Sequence, residues 1–124
     1  MKIKCGTDII EIERIKESIE SLGEKFLNRV FTQKEIQYCE SKKAQKYQHY
    51  AARFAAKEAI FKAISESLVD KYALNWTDYE IVNDESGKPI VKITGFDLQS
   101  IENIDLSMSH CKQYAVATAV VVYK

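Results

Sequence analysis

Arg53-Phe54-Ala55-Ala56-Lys57-Glu58-Ala59-Ile60-Phe61-Lys62-Ala63 is the stretch on which the reading of this chain turns. In a helix advancing about 100° per residue, Ala52, Ala55, Ala56, Ala59 and Ala63 share one arc. Small side chains there let another backbone approach closely. Arg53, Lys57, Glu58 and Lys62 take the opposite half, with Phe54 and Phe61 between them. Three cations and one carboxylate around two aromatic rings read as a pocket for a polyphosphate with a metal, more than as a solvated face.

The surrounding composition bounds what such a helix can belong to. With 124 residues, the chain is expected to form one domain over 1–124. Its formal net charge is zero, so the chain as a whole is not drawn to nucleic acid or membrane. The charge is uneven, however. Residues 42–62 carry six Lys/Arg against one acid, an excess of +5 that the rest of the chain balances. Such a patch suits an anion, which need not be large. The three cysteines, Cys5, Cys39 and Cys111, are odd in number and lack a C-x-x-C pair. That argues against a disulfide framework and against structural zinc. No apolar run approaches the roughly 18 residues that span a bilayer, and no signal peptide opens the chain, so a cytoplasmic location is expected.

Outward from the helix, periodicity supplies the other elements. Residues 2–8 alternate and predict a short strand, with Ile3, Cys5 and Thr7 on one face and Lys2, Lys4 and Asp8 on the other. Asp8 then closes that strand. Ile12, Ile15, Ile19, Leu22 and Phe26 recur at steps of three and four, an amphipathic helix broken near Gly23. Thr32 with Glu35 forms a capping-box pattern opening a helix through about Ser41. Residues 42–50 read as a loop or first helical turn, and the main helix runs to about Ser67, fraying near Asp70. Residues 79–83 and 90–94 flank an Asp84–Pro89 turn signal. Residues 104–110 and 114–123 flank a second hairpin. The run from Ala115 to Val122 is so uniformly small and β-branched that it predicts a strand buried on both faces. The fold class is α+β, an antiparallel sheet with packed helices.

Several residues suggest chemistry. Asp8 and Glu58 are candidate metal ligands, since Mg²⁺ takes few carboxylates, several waters and substrate phosphate oxygens. Salt bridges to neighbouring Lys or Arg are the plainer alternative. Arg53, Lys57 and Lys62 are candidate phosphate clamps, against simple i,i+4 pairing of Glu58 with Lys62. Ser109 and His110 do not make a hydrolase pair, because neighbouring strand residues point to opposite faces and no G-x-S-x-G elbow exists. Tyr47, Tyr50, Phe54 and Phe61 are available to stack a purine or to fill the core. Arg14, on the polar side of the first helix, is by itself a solvated charge.

The order of these elements carries more than any one of them. Gly6-x-Asp8, Arg14, Phe31-Thr32-x-x-Glu35, the Arg53–Ala63 run, Gly87-x-Pro89, and Ser107-x-Ser109-His110 before an Ala/Val-rich last strand follow one another along the chain. This resembles the small bacterial holo-acyl-carrier-protein synthases of the 4′-phosphopantetheinyl transferase superfamily, over essentially the whole length. The resemblance implies transfer of the 4′-phosphopantetheine arm of coenzyme A to a serine of apo acyl carrier protein, in support of fatty acid biosynthesis. Adenosine 3′,5′-bisphosphate is the other product. It implies Asp8 and Glu58 as ligands of Mg²⁺ and Lys62 as a pyrophosphate contact. Arg53 and His110 would line the coenzyme A site with Lys62, and the basic cluster itself assigns Lys42, Lys43 and Lys46 to coenzyme A binding as well. Arg14 would meet the carrier protein. A homotrimer with active sites between subunits is implied as well. Glu58, directly or through water, would serve as base, with a water held by the metal as the alternative. The chain departs from the family pattern after Ala63, where Ile64-Ser65-Glu66-Ser67-Leu68 has no glycine turn. A non-catalytic coenzyme A or nucleotide-binding regulatory module is the alternative function. An RNA-binding domain lacks its usual signatures here.

Overall fold

The computed structural model describes residues 1–65, 68, 74–94 and 100–124. Among these residues five strands and four α-helices follow one another as β1 (Lys2–Glu11), α1 (Ile12–Leu22), α2 (Glu24–Val30), α3 (Gln33–Glu40), α4 (Lys46–Ile64), β2 (Tyr79–Asn83), β3 (Pro89–Ile93), β4 (Ile101–His110) and β5 (Tyr114–Tyr123). The order β1-β5-β4 makes a three-stranded sheet, and β2-β3 a separate two-stranded one. All pairings are antiparallel, so the α+β expectation holds, with two sheets in place of one.

Local chemistry explains most boundaries. Gly23 adopts φ 59 and separates α1 from α2, a conformation that costs glycine little. Thr32 and Glu35 close the reciprocal capping box at the start of α3. In the β2–β3 turn the Asp84 carboxylate accepts from the Ser86 and Lys88 amides, both at 2.9 Å, and Gly87 takes φ 88. β1 runs three residues past its expected end, because Ile9 and Ile10 continue the ladder opposite Val116 and Ala115. β4 likewise starts at Ile101. The expected end of α4 near Ser67 and its fraying near Asp70 lie outside the described residues.

α4 is the axis of the molecule. Ala55, Ala56, Ala59, Ile60 and Ala63 pack against the inner face of the three-stranded sheet, where Ala117, Ala119 and Val121 supply the other side. A second core joins α1, α2 and α3 to the beginning of α4 through Ile15, Phe26, Val30, Phe31 and Tyr50. The helix is therefore enclosed on nearly all sides, and its charged half is not a free face: Arg53 and Lys57 are buried.

One strand differs from expectation. β5 alternates strictly, with Ala115, Ala117, Ala119 and Val121 buried while Tyr114, Val116, Thr118 and Val120 are exposed on the single chain. Only its inner face meets a helix. The outer face of the sheet, which includes Ile3 and Ile9 of β1, carries apolar side chains that are exposed in one chain.

Candidate active site

The site is built where β1 crosses α4, and Gly6 makes the crossing possible. A Cβ at Gly6 would lie 2.1 Å from the Ala59 carbonyl oxygen and 2.9 Å from the Lys62 Cβ. The small-residue arc of α4 thus receives the backbone of β1, as its composition requires. Two residues along β1 from Gly6, on the same inward face, comes Asp8. Lys62 Nζ donates to an Asp8 carboxylate oxygen at 3.2 Å and to the Thr7 carbonyl at 2.9 Å. The Lys62 side chain remains 51% exposed, so its charge is still open to a ligand.

Glu58 stands on the same side of α4, half-buried. Burial pushes its carboxyl above the usual carboxylate range; the nearby Asp8 charge adds to this and Lys62 opposes it. Two carboxylates set beside each other attract a cation to the space between them. Asp8, Glu58 and Arg14 line one cleft of about 570 Å³ with Ile15, Phe26 and Phe54 as its apolar wall. Phe54 is backed by Trp76, whose ring stacks on it at 5.0 Å. Among the described residues no group of three or more His, Cys, Asp or Glu is gathered for a metal. A two-carboxylate site suits an ion that keeps water and takes phosphate oxygens.

A second cluster forms around Tyr38. Its ring carries the Arg53 guanidinium at 4.1 Å and the Lys42 ammonium at 4.8 Å. His49 meets Tyr38 edge-on at 5.6 Å and His110 at 5.5 Å. Arg53 is only 2% exposed; its Nη2 donates to Asn83 at 2.7 Å, while its Nε has no hydrogen-bond partner. His49 was not visible as a site residue in the sequence, because nothing local links position 49 to position 110. Lys43 sits in the α3–α4 turn with φ 55. Lys46 pairs with Glu40 at 3.3 Å and lies 5.3 Å from the Tyr47 ring.

Lys57 departs from the clamp reading. Its ammonium is fully buried and donates to Glu35 at 2.7 Å, the Val30 carbonyl at 2.7 Å and the Trp76 carbonyl at 3.0 Å. All three N–H bonds are used inside the protein, so none is left for a phosphate. Tyr50 is sealed in the core as well, its hydroxyl donating to Glu40 at 2.7 Å. Ser65, where the glycine turn is missing, is 3.4 Å from the Lys62 carbonyl and bonds back to its own helix.

The α+β frame brings two carboxylates into one cleft, with a lysine paired to Asp8 beside it and a basic aromatic cluster around the same helix, an arrangement suited to a phosphate-bearing ligand. The family model of the 4′-phosphopantetheinyl transferase superfamily matches residues 4–119, and the chain belongs to that family. A holo-[acyl-carrier-protein] synthase of Ruminiclostridium cellulolyticum is 49% identical over 98% of this chain and 92% of its own length. That of Protochlamydia amoebophila is 45% identical over 97% and 98%. Among solved structures, the Chronobacterium ammoniagenes ACPS–CoA complex superposes with a TM-score of 0.84 at 26% identity, covering 100% of this chain and 99% of that one. The Helicobacter pylori synthase in complex with coenzyme A gives 0.82 at 29% identity, with 95% and 99% covered.

Proposed function

We propose that this chain transfers the 4′-phosphopantetheine group of coenzyme A to a serine of apo acyl carrier protein and releases adenosine 3′,5′-bisphosphate, in support of fatty acid biosynthesis. The observation that carries this reading is the meeting of Asp8, Glu58 and Lys62 where Gly6 lets β1 touch α4. Asp8 and Glu58 would hold Mg²⁺, which two carboxylates set beside each other attract. When bound, the ion supplies Lewis-acid stabilisation of negative charge on pyrophosphate oxygens. Lys62, tethered by Asp8 and the Thr7 carbonyl, offers a fixed positive charge to the same oxygens. The carrier serine must lose a proton, and Glu58, directly or through water, is a carboxylate in the cleft that can receive it.

Lys42 and His110 form the basic wall assigned to coenzyme A, with Arg53 buried behind the Tyr38 ring and Lys43 and Lys46 beside it. Arg14, in the same cleft as Asp8, faces the protein substrate, whose acidic surface complements it. The apolar outer sheet face supports a homotrimer in which neighbouring subunits share the sites. Residues 1–124 act as one domain in this reading. Among the described residues no helix is long and apolar enough to cross a membrane, and a cytoplasmic location goes with the substrates.

The test is incubation with coenzyme A, Mg²⁺ and apo acyl carrier protein, read by intact mass spectrometry. The carrier should gain one phosphopantetheine. Asp8→Ala and Lys62→Ala should stay folded by circular dichroism while transfer falls at least about a hundredfold. Near-parent turnover by either variant would remove that residue from the site.

A further inference from the structure

Immediately before Glu58 in the chain stands the most heavily tied residue of α4. Lys57 is held at both ends. Its ammonium reaches Glu35, the Val30 carbonyl at the end of α2, and the Trp76 carbonyl in the turn before β2. Its own carbonyl, the oxygen of the peptide that leads into Glu58, accepts from the Tyr79 hydroxyl at 3.1 Å. Glu35 is equally committed. One carboxylate oxygen takes the Thr32 amide at 2.8 Å as well as Lys57, and the other takes the Ile81 amide at 2.8 Å. The α3 cap, β2, the end of α2 and the turn before β2 therefore converge on one residue, none of them touching the cleft through these groups.

We propose that this clamp, Glu35 and Tyr79 closed on Lys57, is the positioning device that sets the rotation of α4 and so aims the Glu58 carboxylate at Asp8. The proposal rests on Glu58 being a metal ligand. Helical geometry supplies the mechanism. Glu58 follows Lys57 by about 100° around the axis. Fixing Lys57 toward α3 and β2 fixes Glu58 toward β1. Among the described residues no hydrogen bond or ion pair holds the Glu58 carboxylate: of the charges beside it, Asp8 repels it and Lys62 is engaged by Asp8 and Thr7. With the backbone at position 58 fixed, the rotamers open to the Glu58 side chain all start from the side of α4 that faces β1. Groups that orient a ligand without touching the metal are worth about ten- to a hundredfold in affinity or activity.

Tyr79→Phe removes one hydroxyl and keeps the ring; Glu35→Gln keeps the shape and removes the charge. Manganese binding is read from the free-ion electron paramagnetic resonance signal, without turnover, beside kcat, the KM for coenzyme A and the urea midpoint. Tyr79→Phe should weaken Mn²⁺ binding and lower kcat together by about tenfold, with KM for coenzyme A within about twofold of the parent. Glu35→Gln should do the same or more; if it does not fold, Tyr79→Phe decides alone. Lower urea midpoints with parent-like Mn²⁺ affinity and kcat would make the clamp merely structural and overturn the proposal. Glu58→Gln separates the two ideas. If it binds Mn²⁺ like the parent, Glu58 is no ligand and the clamp falls with that reading. If it loses Mn²⁺ while the clamp variants do not, only the clamp falls.

Discussion

Lys57 and Lys62 are the same residue type five positions apart on one helix, yet one is sealed and the other half exposed. Five steps of about 100° put them some 140° apart around the axis, which is enough to send one into the interior and the other to the cleft. The sequence distinguishes the charged half of α4 from its alanine arc but not these two lysines, because the partner that captures Lys57 is Glu35, 22 positions earlier. Glu35 was legible only as a capping residue. His49 shows the same limit, and it carries a testable pH dependence. Its pKa is lowered first by burial and then by His110, Lys42 and Arg53, with the neutral Tyr38 ring against its edge. The unfolded chain takes up this proton near 6.5, whereas the folded protein refuses it until lower pH. Stability from this group is therefore intact above about 6.5 and declines as pH falls toward the folded value. His49→Gln should lose less of its urea midpoint than the parent between neutral pH and about 5.5. Equal losses in the two proteins would show that His49 does not titrate differently on folding.

At the level of elements, the contact of β1 with α4 decides whether there is a site at all. Ala59 and Ala63 were readable as a surface for close approach, and Gly6-x-Asp8 as a strand end, but their meeting is a tertiary fact. The alternation of residues 2–8 stops being informative at Ile9-Ile10, where two apolar neighbours hide the period. Pairing with Val116 and Ala115 carries the strand on to Glu11, so Asp8 stands inside a ladder, not at a loose end. A rigid strand is the better support for a ligand. Gly6→Ala tests the contact. The added methyl would overlap the Ala59 carbonyl, a backbone atom that cannot rotate away. The substitution should destabilise the fold by about 2 kcal/mol or more in urea titration, and it should cut transfer further than stability explains, because Asp8 and Lys62 move apart with the strand. A stability within about 0.5 kcal/mol of the parent would show that β1 and α4 have slack that the geometry does not suggest.

For the whole molecule, the β5 sequence and its single-chain burial disagree in an instructive way. Ala115 to Val122 reads as a strand covered on both sides, yet one chain covers only the side facing α4. Its other side lines up Val116 opposite Ile9 and Val120 opposite Cys5 in register with β1, and Ile3 and Ile9 are 57% and 65% exposed. A sheet face of this composition, beside cleft residues on the opposite side, is suited to burial against further copies of the chain. The trimer proposed above would resolve the disagreement, because the second face that the sequence calls for would be covered by neighbours. Light scattering should then give about three times 14.2 kDa. The double variant Cys5→Lys with Val120→Lys places two charges directly opposite each other on that face. It leaves Gly6, Asp8 and the inner face untouched. Like charges and lost apolar burial act together there, so the variant should sediment as a monomer and lose most of its transfer activity at assay concentration. Full activity in that monomer would confine the site to one chain, and an undisturbed oligomer would move the interface to another surface.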